Sequence, residues 1–372
     1  MRCDLPSLSL ADLPNGKLPP LGDCVTNVIA REWNDRSNLT RPRKKRRLPR
    51  SLRSLAMTRR GLRHSPWVRG PDEVMTIDST LISQYIIAGI VIGLIYSLMA
   101  MGITFIYSIM RIINWSMGEF YMVGGYLQYI IITRLIGVKQ WYIGVVLSMI
   151  GVFLLGVLVQ WLLIKPMFEG TVEKRTEYAT IVTISLGVLF VNLAVIGAGP
   201  FIYSPPGYYH NTRLLSLPVS GTRFVAFIGT IVLLSLFYLF LKKTWLGRAL
   251  QGAAQNRVGI QTAGINVFSL DQIAFGIGVA LAAGAGALLA PEFYLYPKCG
   301  NIATMKGFEI IVIAGLGSIP GVLCAGLLLG LIESLGAVFL NPSFRDVYGF
   351  LFLLAILAIK PTGLFGETER VA

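Results

Sequence analysis

From about residue 75 onward the chain is written as long apolar stretches separated by short polar ones. The stretches 81–105, 141–164, 178–198, 224–241, 273–290, 308–340 and 347–359 meet or approach the roughly 20 apolar residues that cross about 30 Å of hydrocarbon. A weaker candidate, 117–136, carries Glu119. About eight membrane segments are expected on this length criterion. The fold class they imply is all-α, a polytopic transmembrane helical bundle. Barrel strands would be about ten residues long and would alternate, and nothing here alternates.

One stretch is too long for a single upright helix. At about 1.5 Å per residue, 308–340 would reach roughly 50 Å. The run Gly315-Leu316-Gly317-Ser318-Ile319-Pro320-Gly321 supplies a break, so a broken or re-entrant helix is expected near 308–321. Ser318 is suited to cap a new helix carrying Pro320 in its first turn, where a missing N–H costs least. Two readings stand side by side. The break is either a half-helix end facing a permeating solute or a loop at the membrane surface.

Composition agrees with the pattern. Of 372 residues, 54% are hydrophobic and 14% charged, and a soluble protein of this length would need far more polar surface. Mean hydropathy is +0.65. The charge is uneven: residues 1–75 hold 16 of the 33 Lys and Arg against 7 of the 19 Asp and Glu, a local net of +9. The run Arg41-Pro42-Arg43-Lys44-Lys45-Arg46-Arg47 is of the kind that binds nucleic acid or anionic lipid. No apolar core follows it as a signal peptide would require. Met75 opens a short polar lead directly before the first span. The expected organisation is therefore a basic extension, 1–74, disordered or placed upstream by a misassigned start codon, followed by a permease body, 75–372. No nucleic acid partner is expected.

Basic residues in short loops mark the cytoplasmic side. Lys242, Lys243, Arg248 and Arg257 have no acid among them before Asp271, so that loop is expected inside. Counting outward from it, 201–223 falls outside, 165–177 inside, 137–140 outside and Arg111 inside. Pairs of small residues (Gly89 and Gly93, Ala282 and Gly286, Gly326 and Gly330) stand at the spacing that lets helix backbones approach in lipid.

Carboxylates inside a membrane are functional candidates by default. Glu292 follows Pro291 at a span end, and Glu309 is read as a helix-start acid favoured by the dipole. Glu119 and Glu333 are the deeper pair, suited to line a path or to bond across a subunit contact. Cys3, Cys24, Cys299 and Cys324 show no metal or disulfide spacing, and His64 and His210 have no partner motif. Walker A, zinc-ligand and Gly-x-Ser-x-Gly patterns are absent from the sequence. The expectation is a transporter rather than an enzyme, with no metal or cofactor and with its energy source on another chain.

Four stretches together resemble the permease subunit of bacterial branched-chain amino acid ABC importers, of the LivH type. They are Gly93-Leu94-Ile95-Tyr96-Ser97-Leu98-Met99-Ala100-Met101-Gly102; Ile113-Asn114-Trp115-Ser116-Met117-Gly118-Glu119-Phe120; Thr244-Trp245-Leu246-Gly247-Arg248-Ala249 leading to Ala263-Gly264-Ile265; and Met305-Lys306-Gly307-Phe308 through Gly330 and Glu333 to Pro361-Thr362-Gly363-Leu364-Phe365-Gly366. The resemblance implies a pore protein in the bacterial inner membrane. It implies a second permease subunit, two cytoplasmic ATP-binding subunits and a periplasmic amino-acid-binding protein as partners, alongside the lipid bilayer. It implies a coupling loop over 243–265, with Gly247, Arg248, Gly264 and Ile265 meeting the ATPase, and a translocation path that includes Asn114, Glu119, Ser318 and Glu333. The family's usual Phe-Ala-His after the Asn is replaced here by Trp115, Ser116 and Met117, and its second coupling-loop base by Gln251.

The leading expectation is ATP-driven import of branched-chain or other hydrophobic amino acids by alternating access. Import of urea or short amides by the same machine is the near alternative. An ion-coupled secondary carrier acting alone is the alternative from another class.

Overall fold

A computed structural model describes residues 79–168, 174–208, 212–214, 217–219 and 221–366. The basic segment 1–74 and the expected start at Met75 lie outside the described residues. The membrane body opens with α1 (Ser79–Met110), then α2 (Met117–Ile130), prolonged by a π turn over Ile131–Ile136. There follow α3 (Trp141–Val159), also prolonged by a π turn (Gln160–Ile164), and α4 (Arg175–Ala198). A small antiparallel hairpin, β1 (Thr212–Leu214) and β2 (Leu217–Val219), precedes α5 (Gly221–Lys243). Two short helices come next, α6 (Trp245–Gln255) and α7 (Arg257–Thr262). The chain then forms α8 (Val267–Leu289), α9 (Cys299–Ala314), α10 (Ile319–Phe339) and α11 (Arg345–Ile359). Among the described residues, seven helical stretches are long and apolar enough to cross a membrane.

These helices form because almost every residue in them is apolar and no water competes for their backbone groups in hydrocarbon. What arranges them is size rather than hydrophobicity, since lipid is as apolar as leucine. Helix α1 lies antiparallel along α10 where both present glycine. A Cβ on Gly93 would stand 2.6 Å from the carbonyl oxygen of Gly326, and one on Gly89 would stand 2.8 Å from that of Gly330. Helix α8 is the centre of the bundle, buried along nearly its whole length and packed on α1, α2 and α3. Helices α4 and α11 lie at the periphery and keep broad apolar faces exposed, through Ile181, Val188 and Leu193 on one and Phe350, Leu351 and Leu354 on the other.

The two ends of the bundle are chemically distinct. At one, Arg257 donates from Nη1 to the Ile109 carbonyl (2.9 Å) and its guanidinium lies 5.0 Å from the Phe168 ring centroid. The Tyr178 hydroxyl donates to Leu163 O there (3.1 Å). At the other end, Gln128 donates from Nε2 to Trp141 O (3.1 Å) and to the Tyr208 hydroxyl (3.2 Å), which in turn donates to Ala287 O (2.5 Å). Burial raises the Tyr208 phenol well above its usual range, so it remains a donor. Tyr203 pairs with Leu295 through two backbone bonds beside it, and Arg223 forms an ion pair with Glu292. The described loop residues grouped by charge counting therefore do share ends: Arg111, 165–168, 174–177 and 242–257 at the basic end, 137–140, 201–208 and Arg223 at the other.

The long run 308–340 does divide, at Gly315–Ser318, and the Ser318 hydroxyl accepts from Gly321 N (3.2 Å) at the head of α10. Three details differ from the reading of the sequence. Helix α9 starts at Cys299, well before the apolar run, so Glu309 is a mid-helix residue and not a helix-start acid. The polar letters Thr304 and Lys306 hid that first half, because each finds its partners inside the bundle. At about 1.5 Å per residue, the 16 residues of α9 reach roughly 24 Å and do not cross the hydrocarbon. The hairpin β1–β2 is a small strand element in an otherwise helical body.

Candidate functional site

Helices α2 and α9 both begin inside the bundle, and their first turns meet. Between α1 and α2 the chain is not helical over 111–114, and Arg111 is held at φ 56°. Backbone of this kind survives at membrane depth only where protein groups satisfy it. Asn114, fully buried, does much of this: its Oδ1 accepts from Ser116 N (3.0 Å) and Ser116 Oγ (2.8 Å). Thr183 Oγ1 on α4 accepts from Trp115 N (3.3 Å), and Thr304 Oγ1 on α9 accepts from Gly118 N (3.0 Å). Gly118 and Gly300 lie so close that neither backbone has room for a Cβ. The Trp115 and Phe308 rings pack at 4.7 Å.

Glu119 occupies the first turn of α2, where the helix dipole favours a carboxylate. It is buried, its Oε2 has no hydrogen-bond partner, and it faces Gly187 of α4. On the side of α9 toward the non-basic end lies a cavity of about 160 Å³, walled mainly by aromatic and aliphatic groups including Tyr96, Tyr121, Phe293, Ile302 and Ala303.

One helical turn beyond Ile302 and Ala303 an ion network starts. Lys306, buried, reaches Glu333 Oε1 (2.6 Å), Glu309 Oε2 (3.2 Å) and Asp346 Oδ1 (3.1 Å). Arg345 Nε donates to Glu333 Oε2 (3.2 Å). Three helices, α9, α10 and α11, are tied together by these bonds. Glu309 Oε1 and Arg345 Nη2 are buried without partners.

At the basic end, α6 and α7 form a helical pair outside the spans. Thr244 caps α6 by accepting from Gly247 N (3.0 Å), and Asn256 caps α7 by accepting from Gly259 N (2.8 Å). Gly247 allows the turn from α5, because a Cβ there would stand 2.6 Å from Leu241 Cα. Ala249, Leu250 and Ala253 pack inward, whereas Arg248 and Trp245 (62% exposed) point away from the bundle. Gly264, at φ 80°, reverses the chain before Ile265 and α8. Arg257 pairs with the buried Asp271 of α8 (2.5 Å) and so pins this pair to the core.

Residues 85–359 match the family described as "Branched-chain amino acid transport system / permease component". The chain belongs to this family of membrane transport permeases. It is 29% identical over 296 residues to the high-affinity branched-chain amino acid transport system permease protein LivH of Salmonella typhimurium and of Escherichia coli K12, covering 77% of this chain and 96% of each relative. It is 28% identical over 303 residues to BraD, a permease protein of the same description from Pseudomonas aeruginosa, with the same coverage. The solved PsaBC from Streptococcus pneumoniae in complex with Fab aligns over 83% of this chain and 97% of that one, at 13% identity and a TM-score of 0.43. The chain is thus a permease component of the ABC branched-chain amino acid importer family and a multi-pass membrane protein, not an enzyme.

Within this permease the residues singled out from sequence fall at four places. Asn114 and Glu119 lie together at the head of α2. Glu333 lies in the ion network. Ser318 caps α10 near the carboxy-terminal turn, where Leu364 N bonds to Ile313 O (2.8 Å) and Phe365 N to Ala314 O (2.8 Å). Gly247, Arg248, Gly264 and Ile265 lie in or beside α6–α7. Sequence reasoning assigned no site role to Lys306, Arg345, Asp346, Arg257 or Asp271. The i,i+3 spacing of Lys306 and Glu309 was the available signal for the first of them.

Proposed function

We propose that this permease is one of two membrane subunits of a binding-protein-dependent importer, and that it carries branched-chain or other hydrophobic amino acids by alternating access. Separate cytoplasmic ATPase subunits drive it, a second permease subunit completes the pore, and a periplasmic amino-acid-binding protein delivers the solute. The observation that carries this reading is the helix pair α6–α7: a capped, amphipathic element outside the spans, exposing Trp245 and Arg248, with a buried ion pair fixing it to the central helix. A surface of that kind passes a push from a soluble partner into α8, which packs on α1, α2 and α3. Residues 114–119, where two helix heads meet, are the candidate for the part of the path that rearranges. The description of LivH and BraD as high-affinity branched-chain amino acid permeases supports branched-chain amino acids as solute.

Reconstitution tests the reading. Vesicles holding the complete complex should accumulate radiolabelled leucine only with ATP inside and binding protein outside. Uptake by this chain alone on an ion gradient would overturn it, and so would selective uptake of urea.

A further inference from the structure

The aromatic cavity stands directly beside the contact between the heads of α2 and α9. Helix α2 runs from that contact toward the Gln128 end of the bundle, and Tyr121 stands one turn along it from Gly118. On α9, Cys299 stands one residue before Gly300. Tyr121 and Cys299 both line the cavity, together with Tyr96 of α1 and with Ile302 and Ala303 of α9. The Gly118–Gly300 contact, where neither backbone has room for a Cβ, is therefore the floor of the cavity on its basic side. Another side is open. Tyr294 and Ile302 wall the cavity and are still 65% and 51% exposed, whereas Tyr121 is 9% exposed.

Size and lining point to one kind of occupant. At about 160 Å³ the cavity compares with apolar cavities of about 150 Å³ that take up benzene, so an isobutyl or sec-butyl group fits. None of the described residues that line it is charged. It therefore offers nothing to an α-ammonium or α-carboxylate and can read only the side chain that distinguishes one amino acid from another. The Tyr121 hydroxyl makes no hydrogen bond with any described residue. Buried phenols are normally paired, so a lipid chain filling the cavity would leave this one unmet. Water entering from the open side would meet it. A wet space with mainly apolar walls gains by giving up water to an aliphatic group.

We propose that this cavity is a size filter within the permease: it takes the aliphatic side chain of the solute in transit, with the head group left at the open side. Ile302 and Ala303 set the size admitted, and the α2–α9 glycine contact is the floor that must part before the solute moves on. The inference rests on the amino acid reading of the preceding section and deepens it by giving the pore a side-chain selectivity of its own, separate from any binding protein.

Cys299 supplies the readout, because it belongs to the lining. The purified complete transporter, without binding protein or nucleotide, is treated with methyl methanethiosulfonate, and modification of each cysteine is followed by peptide mass spectrometry. Leucine, isoleucine and valine should slow modification of Cys299 saturably, and glycine should not. Cys324, exposed and outside the lining, is the internal reference and should react alike throughout. Ile302→Trp should raise the leucine concentration for half-protection about tenfold or more, the scale of a small size change in an apolar pocket. The half-exposed Ile302 tolerates replacement, and the comparison of leucine with glycine needs no variant. Equal protection by glycine, no protection by leucine, or unchanged half-protection in Ile302→Trp would each overturn the inference. So would a Cys299 that stays unmodified with and without leucine while Cys324 reacts, because a lipid chain or the second permease subunit would then fill the cavity. Wild-type vesicles that import leucine alongside any of these results would overturn the cavity site alone. Wild-type vesicles that import no amino acid would overturn the proposed function and the site with it.

Discussion

Arg257 of α7 and Asp271 of α8 stand 2.5 Å apart, and the aspartate is completely buried. The pair is the charged joint between a surface helix and the central helix of the bundle. Asp271 Oδ1 has no further partner, so the guanidinium is what makes the burial tolerable.

Arg257→Leu should therefore cost about 3–5 kcal/mol, the scale for leaving one buried charge without its partner. Thermal unfolding in detergent should show a clear drop in midpoint. Adding Asp271→Asn to Arg257→Leu should recover much of it. In vesicles the double variant should keep ATP hydrolysis and lose uptake, because the joint is gone while the fold remains. Full uptake by the double variant would remove the joint from the coupling argument.

Arg248 projects from α6 with no intramolecular ion pair among the described residues. Arg248→Glu should leave membrane insertion and thermal stability within about 0.5 kcal/mol of wild type, as for a surface change. Copurification of the ATPase subunits should fall sharply. Unaltered copurification together with unaltered uptake would exclude this face of α6 as the docking surface.

Lys306 holds two carboxylates that are as buried as itself. Lys306→Met leaves Glu309 and Glu333 facing each other in an apolar bundle and should destabilise by about 3–5 kcal/mol. Expression and thermal midpoint read this directly. Glu333→Gln in the same chain should restore part of the loss. A single variant as stable as wild type would mean the cluster is wetter than its burial indicates.

Gly93 faces the Gly326 carbonyl across the α1–α10 contact. Gly93→Val inserts two methyl groups and a Cβ where backbone meets backbone, so the helices must separate, at about 1–3 kcal/mol or more. Gly151 is the control, since a Cβ there meets only the end of the flexible Leu127 side chain at 3.3 Å. Gly151→Ala should be close to neutral in the same unfolding assay.

Much of this permease was legible in its letters, for a physical reason. Whether a segment crosses a membrane depends on summed transfer energy over a run of residues, which is a local property. So the spans, the break at Gly315–Ser318 with its serine cap, and the alternation of loops between a basic and a non-basic end follow from the chain read in order. That the segment beyond Lys243 leaves the spans follows as well, from its run of basic residues, whereas its folding into a helix pair does not. What a polar residue inside a span does is not local. Lys306 and Glu333 are 27 residues apart in sequence, on different helices, and Asn114 serves a turn whose other supports come from Thr183 and Thr304. Hydrocarbon forces each such group to find a partner, and it leaves the choice of partner to the packing of helix faces. Only the tertiary structure decided that α9 begins at Cys299, that its lysine is the hub of five charges, and that two of those charged groups keep an atom unpaired.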